Sequence, residues 1–255
     1  MRIASYNILT GGEGRADPLI EVLLAQRADV VALVEAEDPT VLERIARRLK
    51  MDYVQATGNK SGASALLSRF PIRDSINHAA FQPALSKSLL QASVVDPAGQ
   101  TWQFGVVHLH ARATDEDERK REAELDVVLR IFEPLRSSGT PHVLLGDFNA
   151  NSPIQQIDLA RCKPSTREQA SANGGQIPRR VIERLLNEGY ADTYYSVNPE
   201  LAKTKGTFTT QFPGQRVDYV FAHSIAASRI KSAWIEYDRL ATYASDHYPI
   251  GVEID

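Results

Sequence analysis

Asn7, Glu35, His108, Asp147, Asn149, Asp218, Asp246 and His247 have one property in common. Each stands at an end of a strand-like apolar run, where another apolar residue would be the default. Ligands bind in open α/β architectures where strand ends converge. If these ends lie on one edge, they gather three or four carboxylates, two carboxamides and two imidazoles. Clustered carboxylates repel one another without a cation. Hard oxygen donors with no cysteine among them suit Mg²⁺ or Mn²⁺ better than zinc. The stretch His142 to Pro153 concentrates the pattern. Val143-Leu144-Leu145, bounded by Pro141 and Gly146, reads as a buried strand that stops at the glycine, with Asp147 and Asn149 directly after it. On extended backbone, residues two apart face the same way, so Asp147 and Asn149 would share one side and Phe148 would pack on the other. A carboxylate beside a carboxamide can hold a hydrated cation or a phosphate oxygen. Taken alone, the segment reads slightly better as turn chemistry; the other strand ends change that weighting.

Those ends need elements to carry them. Arg2 to Ile8 alternates as a strand, and Gly11, Gly12 and Gly14 mark the loop after it. Asp17-Pro18 and Asp38-Pro39 each predict a helix with Asp as N-cap and Pro in the first turn. Leu19, Ile20, Leu23 and Leu24 make the stripe of the first, and Val41, Leu42, Ile45 and Leu49 that of the second. Asp29 to Glu35 is an apolar strand between them. Tyr53 to Ala56 and Ala63 to Ser68 are predicted strands. Leu89 to Val95 and Trp102 to Leu109 form a hairpin through the type I turn signature Asp96-Pro97-Ala98-Gly99. Thr114 with Asp117 forms a capping box, opening a long helix with Leu125, Val128, Leu129 and Phe132 inward. Its charged cluster, Asp115 to Glu124, is expected to face solvent. Asn151 to Gln176 and Gly189 to Gln215 read as irregular, with an amphipathic helix over Arg179 to Glu188 between them. Strands are predicted over Arg216 to Phe221, Ile230 to Tyr237 and Tyr248 to Ile254, the last preceded by the polar turn Ser245-Asp246-His247. Strands and helices alternate early and hairpins follow, without repeats or a linker. The expectation is one domain over residues 1–255, of α/β class (α+β in some schemes), with two packed mixed sheets.

Composition narrows the function. The chain has 255 residues, 43% apolar and 24% charged, with a formal net charge of −3. That charge gives no support to bulk nucleic-acid binding but permits a local basic patch. Cys162 is the only cysteine, which excludes an intrachain disulfide and a cysteine-based zinc site and fits a reducing compartment. No leader-like segment and no apolar run of membrane-spanning length is present. A cytoplasmic monomer without a membrane span is therefore expected.

Seven motifs follow one another along the chain: Ser5-Tyr6-Asn7-Ile8, Leu33-Val34-Glu35, Leu67-Ser68-Arg69-Phe70-Pro71-Ile72, Val107-His108-Leu109, Gly146-Asp147-Phe148-Asn149, Arg216-Val217-Asp218-Tyr219-Val220 and Ser245-Asp246-His247-Tyr248-Pro249. In content and order they resemble the endonuclease/exonuclease/phosphatase superfamily, which has the DNase I-like fold. The resemblance spans nearly the whole chain. Val34 stands where that family often has glutamine and Val107 where threonine is common, and neither position supplies a metal ligand. His110 is an extra histidine to which the resemblance gives no role. What the resemblance implies is a metal-dependent phosphoesterase, built as a four-layer α/β/β/α sandwich. Glu35 and Asn7 would hold the metal, with Asp246 contributing directly or through water. Asp147 and Asn149 would orient the attacking water and hold phosphate oxygens. His108 would donate to the charge developing on the phosphoryl group. His247, held by Asp218, would be the general base or its electrostatic equivalent. The chemistry agrees: a phosphoryl centre needs cations around its oxygens and an aligned nucleophile. An Asp beside a histidine fixes its tautomer and stabilises its charged form. One metal or two is left open.

Three classes of function are compatible with this reading: a nuclease, a phosphoesterase for a small molecule or lipid head group, and a non-catalytic binding module. The last requires a lost ligand or base, and none is lost. The segment from Arg161 to Arg180 carries Arg161, Lys163, Arg167, Arg179 and Arg180 against the single acid Glu168. With the Gly189–Gln215 loop it is expected to form a rim above Asp147 and Asn149, with Arg179 and Arg180 holding substrate phosphates. Tyr194, Tyr195, Phe208 and Phe212 are available there to stack a base or to anchor the loop. Phosphodiester cleavage, in nucleic acid, is the expected reaction.

Overall fold

The computed structural model describes every residue from Met1 to Asp255 except Ser224. The early strand–helix alternation holds: β1 (Arg2–Asn7) is followed by α1 (Ala16–Gln26), and β2 (Val30–Val34) by α2 (Pro39–Leu49). Asp38 caps α2 as expected, its side chain accepting from the Thr40 and Val41 N–H groups. Asp17 does not cap α1. The helix starts earlier, with Arg15 at the cap position, and Asp17 lies in the first turn, where its charge complements the helix dipole. The Arg15 guanidinium is drawn instead to the carbonyls of Ile8, Leu9 and Ala244.

Next come β3 (Asp52–Thr57), β4 (Ala63–Ser68), β5 (Ile72–Asn77), β6 (Leu89–Val95) and β7 (Thr101–His108). The β6–β7 hairpin turns where expected, with the Gly99 N–H donating to the Asp96 carbonyl at 2.9 Å. The largely exposed edge strand β5 has no apolar alternation to announce it. The chain continues through α3 (Asp115–Ser138), β8 (His142–Asp147), α4 (Pro164–Ala172), α5 (Arg180–Asn187), β9 (Tyr190–Asp192), α6 (Thr193–Val197), β10 (Asp218–His223), β11 (Ile230–Ile235) and β12 (Ile250–Ile254). Both stretches expected to be irregular therefore contain ordered elements. α4 was hidden because it buries only Thr166 and Ala170, too little for a periodic stripe. No helix among the described residues is long and apolar enough to cross a membrane.

The strands form two six-stranded mixed sheets, ordered β11-β12-β1-β2-β4-β3 and β5-β6-β7-β8-β10-β9. Alternation along the strands sets the layers. Val143 and Leu145 of β8, Val220 and Ala222 of β10, and Phe104 of β7 join the core shared with the first sheet, to which Leu19 of α1 and Leu42 of α2 also belong. Leu144, Tyr219 and Phe221 point the other way and meet Val128 and Phe132 of α3 and Ile182 of α5. The result is a four-layer α/β/β/α sandwich of the DNase I-like kind.

The first half of α3 corrects the sequence reading. Asp117, Glu118, Arg121 and Glu124 are buried rather than solvated. Glu118 pairs with Arg121 at 2.8 Å and accepts from the Val181 N–H at 3.0 Å. Glu124 accepts from the backbone N–H groups of Ser86, at 3.1 Å, and His110, at 2.7 Å. Loops lying over the helix bring backbone donors that need acceptors away from water, and the acids supply them.

Candidate active site

Each sheet has a parallel pair flanked by an antiparallel strand, and this arrangement brings the polar ends together. β1 runs parallel to β2 with Asn7 opposite Val34, so Glu35 follows immediately beside Asn7. β7 runs parallel to β8 with His108 opposite Asp147. β10 is antiparallel to β8, so its first residue, Asp218, lies opposite Asp147. β12 is antiparallel to β1, which returns Asp246 and His247 to the same edge. Ser245 fastens that return: its hydroxyl donates to the Asn7 carbonyl at 2.7 Å and accepts from the His247 N–H at 3.2 Å.

β8 does not stop at Gly146 but continues through it to Asp147. Gly146 has φ +135°, and a Cβ there would lie 2.1 Å from the Val107 carbonyl oxygen. Only glycine lets β7 approach closely enough to keep His108 level with Asp147. Past Asp147 the chain is no longer extended, because Asn149 has φ 49°. Asp147 and Asn149 are joined differently from the expectation, by the Asn149 N–H donating to Asp147 Oδ1 at 2.8 Å. Phe148 does face the core, against Tyr219 and Phe221. Apart from Arg27 and Lys50 at helix ends, the non-glycine residues of positive φ among those described are Leu9, Thr10, Glu35, Arg112 and Asn149. Each borders this centre or hydrogen-bonds a residue that does, the distribution expected where structure is held for function.

Asp147 is the hub. Its Oδ2 accepts from Asn7 Nδ2 at 3.2 Å and lies 3.7 Å from His108 Nε2 and 3.9 Å from His247 Nε2. Burial, and then the nearby Asp218 charge, push its pKa up to about 6. His247 Nδ1 is bonded to Asp218 Oδ2 at 2.8 Å. Burial alone would lower the His247 pKa, but the Asp218 carboxylate overrides it and raises the value to about 10. His108 is its opposite: burial and the Lys87 ammonium, which contacts its Nε2, hold its pKa well below the usual histidine value. The expected pairing of Asp218 with His247 is present, and Asn7, Glu35, His108, Asp147, Asn149, Asp218, Asp246 and His247 all meet at one edge.

The donor set fits a hard divalent cation. Glu35, Asp147 and Asp246 line one cleft, and the buried oxygens Asp218 Oδ1 and Asp246 Oδ1 have no hydrogen-bond partner among the described residues. Asp147, Asp218 and His247 also place one ligand atom each within 4.8 Å of one another. In that second set Asp218 and His247 are already bonded to each other, so the all-oxygen set is the better match. Asn7 departs from its expected role in one respect. Its Nδ2, not its oxygen, faces Glu35, at 3.3 Å, and Asp147, while Oδ1 accepts from the Leu9 N–H. Two facing carboxylates draw the amide donors between them. Ligation through Oδ1 would require the amide to turn over and release Leu9.

The cleft has a volume of about 460 Å³, with carboxylates on its floor and Lys87, Arg112 and Lys163 among the cations lining it. A second groove of about 390 Å³ meets it at Lys163 and Asp246 and carries the aromatic rings of Phe212 and Tyr243. Arg179 and Arg180 are not where the sequence put them. Arg179 donates to the Ser152 and Gln155 carbonyls, and Arg180 pairs with Asp115 at 2.8 Å and Glu122 at 3.0 Å on α3. Both therefore lie outside the cleft, because the acids of α3 and the carbonyls of the 152–155 turn satisfy them first. Of that basic segment Lys163 reaches the cleft wall, where it sits 4.3 Å over the Phe208 ring. Phe208 in turn packs on His247, ring centres 4.6 Å apart, while Tyr194 is buried in the core. His110 does not line the cleft; it precedes the lining residues Ala111, Arg112 and Ala113 and bonds Asp117 at 2.8 Å. Lys87 was missed, since a lysine before an apolar strand reads as solvated and no motif marks it.

The model of the Endonuclease/Exonuclease/phosphatase family matches residues 4–247. No curated protein matches the sequence. Among solved structures, an AP endonuclease from Archaeoglobus fulgidus superposes with a TM-score of 0.75 at 21% identity, covering 100% of this chain and 99% of that one. The 3′ phosphatase NExo from Neisseria, bound to a product DNA hairpin, superposes with a TM-score of 0.72 at 19% identity, covering 100% and 99%. An endonuclease/exonuclease/phosphatase from Beutenbergia cavernae gives 0.70 at 19% identity, covering 99% of this chain and 70% of that one.

Proposed function

This chain belongs to the endonuclease/exonuclease/phosphatase family, and we propose that residues 1–255 act as one Mg²⁺- or Mn²⁺-dependent phosphoesterase that cleaves phosphodiester bonds in nucleic acid. The observation that carries this reading is the meeting of the Asp218–His247 pair with Asp147 opposite Glu35 and Asp246, on the floor of a cleft that continues into a second groove. Glu35 and Asp246, joined by Asn7 once its amide turns, would hold the cation. Held there, a cation would supply positive charge to the phosphate oxygens and to the leaving group.

The other steps belong to side chains. Asp147, with a pKa raised to about 6, is close to neutrality and accepts the proton of the attacking water, which Asn149 helps to orient. His247 is an imidazolium at neutral pH, so it acts as the electrostatic equivalent of a base's partner: its Nε2–H stabilises charge on the phosphoryl oxygens. Asp218 fixes the ring and keeps it charged. His108 stands on the other side of Asp147.

A diester is favoured because the two grooves meet at Asp246 and Lys163. A substrate that continues on both sides of phosphorus has a surface on each side, with cations along one arm and the exposed rings of Phe212 and Tyr243 along the other. Base stacking on such rings contributes about 1–3 kcal/mol per base. The AP endonuclease and the DNA-bound 3′ phosphatase of the same fold are consistent with a nucleic-acid substrate. The second reading, a small phosphate ester, is favoured by the removal of Arg179 and Arg180 from the cleft. An assay of purified protein with Mg²⁺ against single-stranded, duplex and abasic DNA, RNA, and a panel of phosphomonoesters separates the two. Turnover of monoesters alone selects the second reading, and full turnover in excess chelator rules out metal dependence.

A further inference from the structure

The family resemblance casts His108 as a donor to the phosphoryl group, but the structure gives its cleft-side nitrogen another occupation. Nε2 is contacted by the Lys87 ammonium. An ammonium only donates, so Nε2 accepts and the ring proton sits on Nδ1. Nδ1 is buried, has no acceptor among the described residues, and faces Gly62, where a Cβ would lie 3.3 Å from it. In this arrangement His108 has no proton to offer towards Asp147.

Lys87 has what His108 lacks. Its ammonium carries three donors, and the hydrogen bond to His108 is the only one it makes among the described residues. It lines the cleft together with Glu35 and Asp147. Among the described residues no carboxylate forms a direct ion pair with it, although Asp147, Glu35, Glu124 and Glu37 all act on it electrostatically and oppose the loss of its proton to burial. Its backbone is held from both sides. Ser86 donates through its hydroxyl to Glu124 at 2.6 Å, and the Ser88 hydroxyl bonds that of Ser64 at 2.6 Å. A fixed, half-buried ammonium with unspent donors beside the hub carboxylate is a binding element for an anion.

We propose that Lys87 is a catalytic residue: its ammonium, seated on His108 Nε2, grips a non-bridging phosphate oxygen and stabilises the charge that grows there. His108 is then its positioning residue. This assignment rests on the phosphoesterase reading above. It places cations on both sides of Asp147, Lys87 on one and the His247 imidazolium on the other.

The test compares Lys87→Met, Lys87→Arg and His108→Gln, with Mg²⁺, on bis(4-nitrophenyl) phosphate, and titrates each protein with inorganic phosphate. Lys87→Met should lower kcat by about a hundredfold or more, the scale for losing one preorganised donor. It should weaken phosphate binding about tenfold, with a melting temperature close to the wild type. Lys87→Arg should recover part of the loss. His108→Gln offers an amide oxygen to the same ammonium and should cost less than Lys87→Met. If His108→Gln costs as much as Lys87→Met, or more, and Lys87→Arg rescues nothing, His108 is the donor and the proposal is overturned. If the wild type turns over no phosphate ester with Mg²⁺, the phosphoesterase reading itself fails. The phosphate titration then judges the contact alone, and equal affinity in wild type and Lys87→Met overturns it.

Discussion

His108 and His247 are both buried, and both face Asp147 Oδ2, at 3.7 and 3.9 Å. They are nevertheless held in opposite charge states. His247 touches Asp218 and keeps its proton up to a pH of about 10; His108 touches Lys87 and is neutral well below the usual histidine value. Burial acts in the same direction on both, so it does not explain the difference. One neighbour does: a carboxylate delivered by the first residue of β10, or an ammonium delivered by the loop before β6. In a desolvated cleft a single contact decides whether an imidazole is a cation or an acceptor.

Removing the centre that the two corners share should have the largest effect. Glu35→Ala is expected to abolish Mg²⁺-dependent turnover and to weaken Mg²⁺ binding by calorimetry; undiminished activity would mean that the corners do not serve a common cation. Next in size is the His247 corner. His247→Ala should lower kcat by about 10²–10⁴, the range for positioned acid–base and charge assistance. Asp218→Asn should cost nearly as much without unfolding the protein, since it leaves the shape and removes the charge. A mild Asp218→Asn phenotype would place the weight on imidazole geometry rather than on its charge.

The two corners were not equally legible. Asp218 and His247 lie in strings whose types announce a site, and strand register does the rest, because antiparallel pairing must return both to the edge where β1 and β8 end. Lys87 has no string. Its role depends on Ser86 being tied to α3 and Ser88 to β4, contacts between residues 38 and 24 positions apart. The walls failed for a related reason. Asp117, Glu118, Arg121 and Glu124 look like a solvated face until the 86–88 and 110–113 loops are laid across them. Period-two and period-3.6 patterns report what a strand or helix buries in apolar side chains, and they do not report which loop will need an acceptor.

The charge difference has a thermodynamic signature. His247 is raised from 6.5 to about 10 on folding, so the folded, metal-free protein holds a proton that the unfolded chain releases. Its contribution to stability is complete below pH 6.5 and is lost as the pH rises towards 10. Asp147, raised to about 6, and His142, lowered to about 4 by burial, titrate on the acid side of that window. Lys87, lowered by burial, acts with the opposite sign. The useful quantity is therefore the wild type minus Asp218→Asn, measured by denaturant unfolding in chelator from pH 6 to 10. That difference should shrink as the pH rises. A constant difference would show that His247 is neutral in the folded protein and that the contrast with His108 is one of geometry only.

The smallest effect is expected outside both corners, at Arg180. Its partners Asp115 and Glu122 are, like Arg180 itself, well exposed. Ion pairs in such settings contribute about 0.2–1 kcal/mol, and Arg180→Ala should lower stability by no more than that. Arg179→Ala should cost more, about 1–3 kcal/mol, because it strips donors from the carbonyls of the buried residues Ser152 and Gln155. Neither change should alter kcat on bis(4-nitrophenyl) phosphate. The informative measurement is Arg180→Ala on an oligonucleotide across a salt series. If the guanidinium is spent on α3, the salt slope is unchanged, since no phosphate contact is lost. A flatter slope, with the small diester unaffected, would show that the pair with Glu122 opens when a polyanion arrives. The cationic arm of the cleft would then extend past Lys163 to the start of α5.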